Sequence, residues 1–238
     1  MLLRLRLWPG AGDFSITGNN FISNTAGGAG GGIAIHDADG QKIIEGNTFA
    51  GNSAGSEGGG LHLNGNPVLT NNLIVENQAT FGGSGVNVSA DAARLIHNTI
   101  ARNTGGEGRG IYVASATVFI TNTMLVSQTV GIYVEAGGNA WLESTLWGNG
   151  VWANGADWSG SGTINQNNDV WGNPDFVDYL AGDYHIGENS AAIDAGIDAG
   201  VTIDIDNLLR PYQLPDIGAD EYWPPGALKF IYLPMVAR

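Results

Sequence analysis

The sequence has no cysteine, few charges, little basic character and no long apolar run, and each shortage removes a class of protein. Without cysteine there is neither a disulfide framework nor a thiolate metal centre, an absence that fits any compartment. Charged residues are 13% of the 238, against about 25% in an ordinary soluble domain, so there is little Lys, Glu or Arg to clothe exposed helix faces. Nine basic residues meet 23 acidic ones, for a net charge of −14 and a pI near 4.3. That leaves no basic stripe for nucleic acid, disfavours anionic membrane surfaces and favours a soluble monomer. No apolar run reaches the ~18 residues of a transmembrane helix. The opening MLLRLRLW lacks a continuous apolar stretch and a small-residue cleavage site, which makes it a poor signal peptide. The chain is expected to be part of a longer protein, with strand material beginning at Phe14-Ser15-Ile16.

Glycine, at 38 residues, and asparagine are plentiful, and they recur with a period. Six segments repeat an apolar residue, two or three polar ones, and a second apolar residue soon followed by Asn. They are ITGNNFISN, IEGNTFAGN, LTNNLIVEN, LIHNTIARN, ITNTMLVSQ and LESTLWGN, closing at Asn24, Asn52, Asn77, Asn103, Gln128 and Asn149. The first five are each followed by Gly, apolar, any residue, apolar: Gly32-Ile33-Ala34-Ile35, Gly60-Leu61-His62-Leu63, Gly85-Val86-Asn87-Val88, Gly110-Ile111-Tyr112-Val113 and Gly131-Ile132-Tyr133-Val134. Both anchors keep step at roughly 21–28 residues. Period-2 alternation in short stretches marks half-buried strands, and a repeat of this length built of strands alone is one turn of a solenoid. A leucine-rich repeat would need denser leucine and a helical segment per unit, and neither is visible.

The expected fold is therefore all-β: a right-handed parallel β-helix of about six to eight coils over residues 1–172, with an irregular C-terminal cap at 173–223 packed on the helix end and a tail at 224–238. Stacking makes four apolar columns. They are Ile16/Ile44/Leu69/Leu95/Ile120/Leu142, Phe21/Phe49/Ile74/Ile100/Leu125/Leu146, Ile33/Leu61/Val86/Ile111/Ile132 and Ile35/Leu63/Val88/Val113/Val134. Asn at the turns tolerates unusual backbone angles, and its amide can bond along the stack. Phe21-Ile-Ser-Asn24 with Gly31-Gly32-Ile33, and Phe49-Ala-Gly-Asn52 with Gly59-Gly60-Leu61, resemble the FxxN and GGxI signatures of polymorphic outer-membrane-protein adhesins; the later coils depart from that pattern. The resemblance implies a bacterial secreted or cell-surface location and an adhesin-like role.

From Asn173 the pattern changes. Asn173-Pro174, Phe176-Val177-Asp178, Gly182-Asp183-Tyr184, Ala192-Ile193-Asp194-Ala195-Gly196, Arg210-Pro211 and Asp216-Ile217-Gly218-Ala219 resemble the choice-of-anchor Q region of secreted bacterial β-helix proteins. That resemblance implies a cap followed by a sorting tail, LKFIYLPMVAR.

Function is expected on the outward positions of the Gly-anchored strand: Ala34, His62, Asn87, Tyr112, Tyr133, then His36, Asn64, Ser89, Ala114, Glu135. A polar face with aromatic platforms suits a polysaccharide or cell-surface glycan. Tyr112, Tyr133, His62, Asn87, His36 and Glu135 are the candidate ligand-binding residues of a non-catalytic module. Four glycine-rich turns, over 25–31, 53–59, 78–84 and 104–109, stack on one side and are expected to form a lip over a binding surface, or a plain flexible rim, that shortens at Thr129-Val130. The catalytic alternative is a polysaccharide lyase or epimerase with His62 as base and Tyr112 as acid. A hydrolase would need clustered aspartates absent from these columns, and Arg94, Arg102 and Arg109 are assigned to another side or a loop. No cofactor is required, although calcium is conceivable at Asp204, Asp206 and Asp216. Asp37-Ala-Asp39-Gly40 reads as a turn.

Overall fold

The computed structural model describes residues 5–227 apart from 9, 11, 37–38 and 90–91; the terminal tail 228–238 and the Asp37-Ala38 half of the proposed turn lie outside the described residues. The chain is a parallel β-solenoid of about six turns, formed by three seven-stranded parallel sheets. Sheet A contains Leu5–Leu7, Ile33–Ile35, Leu61–Leu63, Gly83–Val88, Arg109–Val113, Val130–Val134 and Ala156–Gly160. Sheet B contains Phe14–Thr17, Lys42–Glu45, Pro67–Thr70, Ala92–Ile96, Thr117–Thr121, Asn139–Glu143 and Thr163–Asn167. Sheet C contains Asn20–Ile22, Thr48–Ala50, Leu73–Val75, Thr99–Ala101, Met124–Val126, Leu146–Gly148 and Val170–Gly172. Each coil runs from B to C to A. Leu5–Leu7 pairs with Ile33–Ile35, so strand structure starts ahead of Phe14.

The coil closes because its corners are built from two residue types in tandem. Between sheets B and C stand Gly18, Gly46, Asn71, His97, Asn122, Ser144 and Asn168, all with φ between 47° and 64°. After sheet C the same left-handed region holds Ser23, Gly51, Glu76, Arg102 and Ser127. Such a residue bends the chain sharply, at a cost when it is not glycine. An Asn comes directly after most of them and offsets that cost. Asn24, Asn52 and Asn77 each donate from backbone N and from Nδ2 to the Oδ1 of the next coil's Asn at 2.9–3.0 Å. A second ladder runs Asn19, Asn47, Asn72, Asn98 at the other corner. Corner amides are thus satisfied along the axis, where no sheet hydrogen bond reaches.

The inward columns pair as the periodicity requires: Ile16, Ile44, Leu69, Leu95, Ile120 and Leu142 are register partners in turn. Burial of each such side chain stabilises by about 1.5–3 kcal/mol. The sixth coil corrects the sequence reading. Trp147, not Leu146, stands on Leu125, and Gln128 N donates to Asn154, not Asn149. The single-turn helix Gly150–Trp152 inserts residues between strand and corner, so the ladder Asn arrives late. Trp147 is accommodated because Gly131 faces it; a Cβ there would lie 2.8 Å from the indole.

Residues 173–223 do not cover the solenoid's end, contrary to expectation. They lie along the outer face of sheet C, burying Val75, Ala101, Met124, Val126 and Leu146 against Phe176, Tyr184, Ile186, Ala192 and Ile217. Corner residues fasten them: Asn71 Nδ2 donates to Ile203 O and Asn122 Nδ2 to Ile197 O, both at 2.7 Å. From Leu73–Val75 onward the outer face of sheet C is largely apolar as well as the inner one, and a parallel sheet of that kind is covered on both faces. The end of the core is closed by the last coil itself, where Trp158 lies over Ile132, Gln166 over Leu142 and Trp171 over Trp147. No helix among the described residues is long and apolar enough to cross a membrane.

Candidate functional sites

The outward column of sheet A stacks as expected, with His62, Asn87, Tyr112 and Tyr133 in register. Its first half is covered. The glycine-rich turns fold back over their own strands, with Gly30, Gly58 and Gly82 at φ 61–69°; a Cβ at Gly30 would fall 2.6 Å from that of Ala34, and one at Gly82 would fall 2.6 Å from Asn87 Oδ1. The turns therefore lie on this column. Beneath them His62 is 8% and Asn87 1% exposed. Burial, with His36 and Arg6 nearby, holds the His62 imidazole down at about 4. Its nitrogens are engaged by Asn87 Nδ2 at 3.2 Å and Ser89 Oγ at 3.4 Å. His62 and Tyr112 thus do not form an open acid–base pair. The His36 ring stacks on Trp8 at 5.2 Å and meets the His62 ring at 5.3 Å, tilted by 40°.

Tyr112 and Tyr133 emerge where the turn shortens, nearly parallel at 5.7 Å and 8°. Arg109, assigned from sequence to another side or a loop, belongs to this strand, and its guanidinium lies 3.7 Å from the Tyr133 ring centre and 5.0 Å from that of Tyr112. Burial and the hydrogen bond to Glu135 push the Tyr112 hydroxyl up. The pair is thus an internally satisfied cluster whose ring faces are taken by each other and by an arginine.

The three calcium candidates separate. Asp216 gives its oxygens to the backbone N–H of Asp194 and Tyr222 at 2.7 and 2.6 Å. Asp206 pairs with His185 Nε2 at 2.7 Å, and Asp183 takes His185 Nδ1. The Asp206 hydrogen bond above all raises the His185 imidazole to about 10. Asp220 completes a group whose ligand atoms all lie within 4.8 Å of one another, and His185 with Asp206 and Asp183 forms an ion-pair network there. Asp204 is 2% exposed; its Oδ1 accepts from Asp206 N and Leu208 N. Arg210, fully buried, faces Glu221 at 3.6 Å and donates to Asp216 O and Gly218 O. It also contacts His97 Nδ1.

Sheet B carries a feature missed from sequence. Phe119 and Trp141 are register partners on adjacent strands, pointing outward and 37% and 51% exposed. With Thr121, Glu143, Asn165 and Asn167 they line a groove of about 440 Å³. Arg94 lies 5.2 Å from the Phe119 ring centre. The signal was present: each aromatic directly precedes an inward column residue, Ile120 or Leu142, and so must point out. Comparison with family models, curated proteins and solved structures finds no match to this chain.

Proposed function

We propose that this β-solenoid is a non-catalytic glycan-binding module, adhesive in role, of a secreted or surface-exposed bacterial protein, and that sugar lies on the Phe119–Trp141 strip. The observation that carries the reading is two large aromatics, well exposed and in register on neighbouring parallel strands. Aromatic faces give a sugar ring apolar area at little entropic cost, and coils ~4.8 Å apart set two such surfaces within one saccharide chain. Asn165, Asn167, Glu143 and Thr121 border the strip, and Glu143 accepts from Asn167 Nδ2 and Asn168 Nδ2, which orders this polar edge beside the rings. A net charge of −14 favours neutral over polyanionic glycans. The adhesin-like repeat signatures and the choice-of-anchor Q-like segment support the surface location.

The test is affinity electrophoresis and calorimetry of the purified chain against neutral and acidic polysaccharides. A neutral polysaccharide should bind, and the double variant Phe119→Ala/Trp141→Ala should weaken it by about 1–3 kcal/mol while remaining folded. The Tyr112→Ala/Tyr133→Ala variant should keep the affinity. The opposite pattern would transfer the site to sheet A, and no bound glycan would end the reading.

A further inference from the structure

A second feature lies in the C-terminal flank, where three of its segments converge. Alternation in Asp183–Ile186 buries Tyr184 and Ile186 in the core shared with sheet C and sets Asp183 and His185 together on the strand's other face. The turn after Asp204 presents Asp206, whose backbone N–H donates to Asp204 Oδ1 at 2.9 Å. Asp220 is fixed by Ile186 N, which donates to its Oδ2 at 2.8 Å. One ligand atom each from His185, Asp206 and Asp220 thereby falls within 4.8 Å of the other two. The same three residues line a cavity of about 400 Å³, together with Thr48, Leu73 and Thr99 of sheet C.

The imidazole is oriented as a ligand. Asp183 Oδ1 takes Nδ1 at 2.5 Å, the carboxylate support that sets the tautomer of a metal-binding histidine and makes its other nitrogen the donor of electrons. That nitrogen, Nε2, faces Asp206 Oδ2 at 2.7 Å, with an Asp220 oxygen inside the same 4.8 Å. A proton on Nε2 serves the Asp206 oxygen alone, whereas a divalent ion in its place binds both carboxylates and the nitrogen. Bonds of about 2.0–2.2 Å keep the ligands of one ion within roughly 4 Å of each other, so the group closes on it by movements of less than about 1 Å. Asp206 is exposed and His185 half-buried, which leaves room for that closure. One imidazole with two carboxylates suits a borderline ion such as Zn²⁺ or Co²⁺ better than Ca²⁺ or Mg²⁺, which take oxygens. The set shares only Asp206 with the calcium candidates read from the sequence.

We infer that His185 Nε2, Asp206 and Asp220 bind a divalent transition ion of the Zn²⁺ class, with Asp183 orienting the imidazole. Three protein ligands leave a fourth position for water, here on the wall of the cavity. The test uses the full chain, stripped with EDTA and titrated with ZnCl₂ by calorimetry and thermal melting, with CoCl₂ followed by visible absorption and CaCl₂ as competitor. One saturable Zn²⁺ site with a raised Tm is expected; Co²⁺ should develop ligand-field bands there, and Ca²⁺ should displace neither. Asp183→Asn, which leaves all three ligands, should weaken binding by about 10–100-fold. His185→Gln should abolish the Co²⁺ bands. Asp206→Asn should weaken binding at least as much as Asp183→Asn, and its exposed position decides the matter if the other variants do not fold. His62→Gln, on sheet A, should bind as the wild type does. Absence of a Zn²⁺ response at micromolar concentration, or undiminished binding by any of the three folded flank variants, would overturn the site. Loss of binding in His62→Gln would overturn it too, placing the ion on sheet A.

Discussion

At the scale of single residues the fold depends on the asparagine that succeeds most left-handed corners. Asn77 shows the mechanism. Its Oδ1 accepts from both Asn52 N and Asn52 Nδ2 at 2.9 Å, while its Nδ2 donates to Phe49 O and Asn103 Oδ1. It is fully buried, so truncation strands donors and acceptors that water cannot reach. Asn77→Ala should destabilise the chain by roughly 3 kcal/mol or more, since each buried stranded group costs about 1–3 kcal/mol. Asn19→Ala, at the half-buried start of the other ladder, should cost under about 1 kcal/mol, because water can replace its bonds. Urea unfolding of both variants checks this, and equal losses would mean the ladder contributes little. The Asn repeat was legible in the sequence; the residue before each Asn was not. Gly, Ser, Glu, Arg, Asn and His share the left-handed corners, and no side-chain chemistry unites them.

At the scale of elements, the alternation in each strand fixes the face. Ile120 points into the column between Leu95 and Leu142, and Phe119 points out. Ile120→Asp buries a charge with no partner and should prevent folding or lower Tm by well over about 10 °C. Phe119→Asp changes an exposed site and should shift Tm only slightly. A thermal melt with equal losses would place the register one residue off, which exchanges the two faces. Inward columns were readable because apolar residues recur in step at two anchors. The sixth coil was misread because Gly150–Trp152 adds residues inside the repeat, and Leu146 and Trp147 are both apolar, so hydrophobicity alone could not choose between them. Sheet C held an unused signal. Leu73-Ile74-Val75 and Met124-Leu125-Val126 are apolar at every position, and a strand apolar on both faces is covered on both. That pattern places the C-terminal region on the flank instead of over the end. The covered half of the sheet A face was not legible for a different reason. Alternation assigns His62 and Asn87 outward, and only the path of the glycine turns shows that outward is not exposed there.

At the scale of the whole molecule, an acidic chain has gathered most of its buried charge into the seam between solenoid and flank. Asp204, Arg210, Asp216, Asp220 and Glu221 are buried there, with Lys42 in sheet B standing apart. Arg210 there is shared between Glu221, two backbone carbonyls and the edge of His97, and His97 is itself a corner residue of the fourth coil. His97 is fully buried, accepts from Asn122 Nδ2 at 2.9 Å, and is held down at about 2, first by burial and then by Arg210. It therefore remains neutral in the folded chain across the range where an unfolded histidine titrates, near 6.5. As pH falls below that value the unfolded chain binds a proton that the folded chain refuses. The stability linked to His97 is whole above pH ~6.5 and is lost on acidification, at up to about 1.4 kcal/mol per pH unit. Asp204 and Asp216, both pushed up to about 7 by burial, act in the opposite sense, because their folded forms take up protons first as pH falls. The histidine's share is isolated by His97→Asn, since Asn71 and Asn122 hold the same corner at φ 51° and 47°. Between pH 8 and pH 5 the wild type should lose roughly 2 kcal/mol more stability than the variant, the limiting slope acting over the interval below 6.5. Chemical denaturation at the two pH values gives the difference directly. A wild type that loses no more than His97→Asn would mean that the seam opens to solvent before the solenoid unfolds, leaving His97 free to titrate in the folded coils.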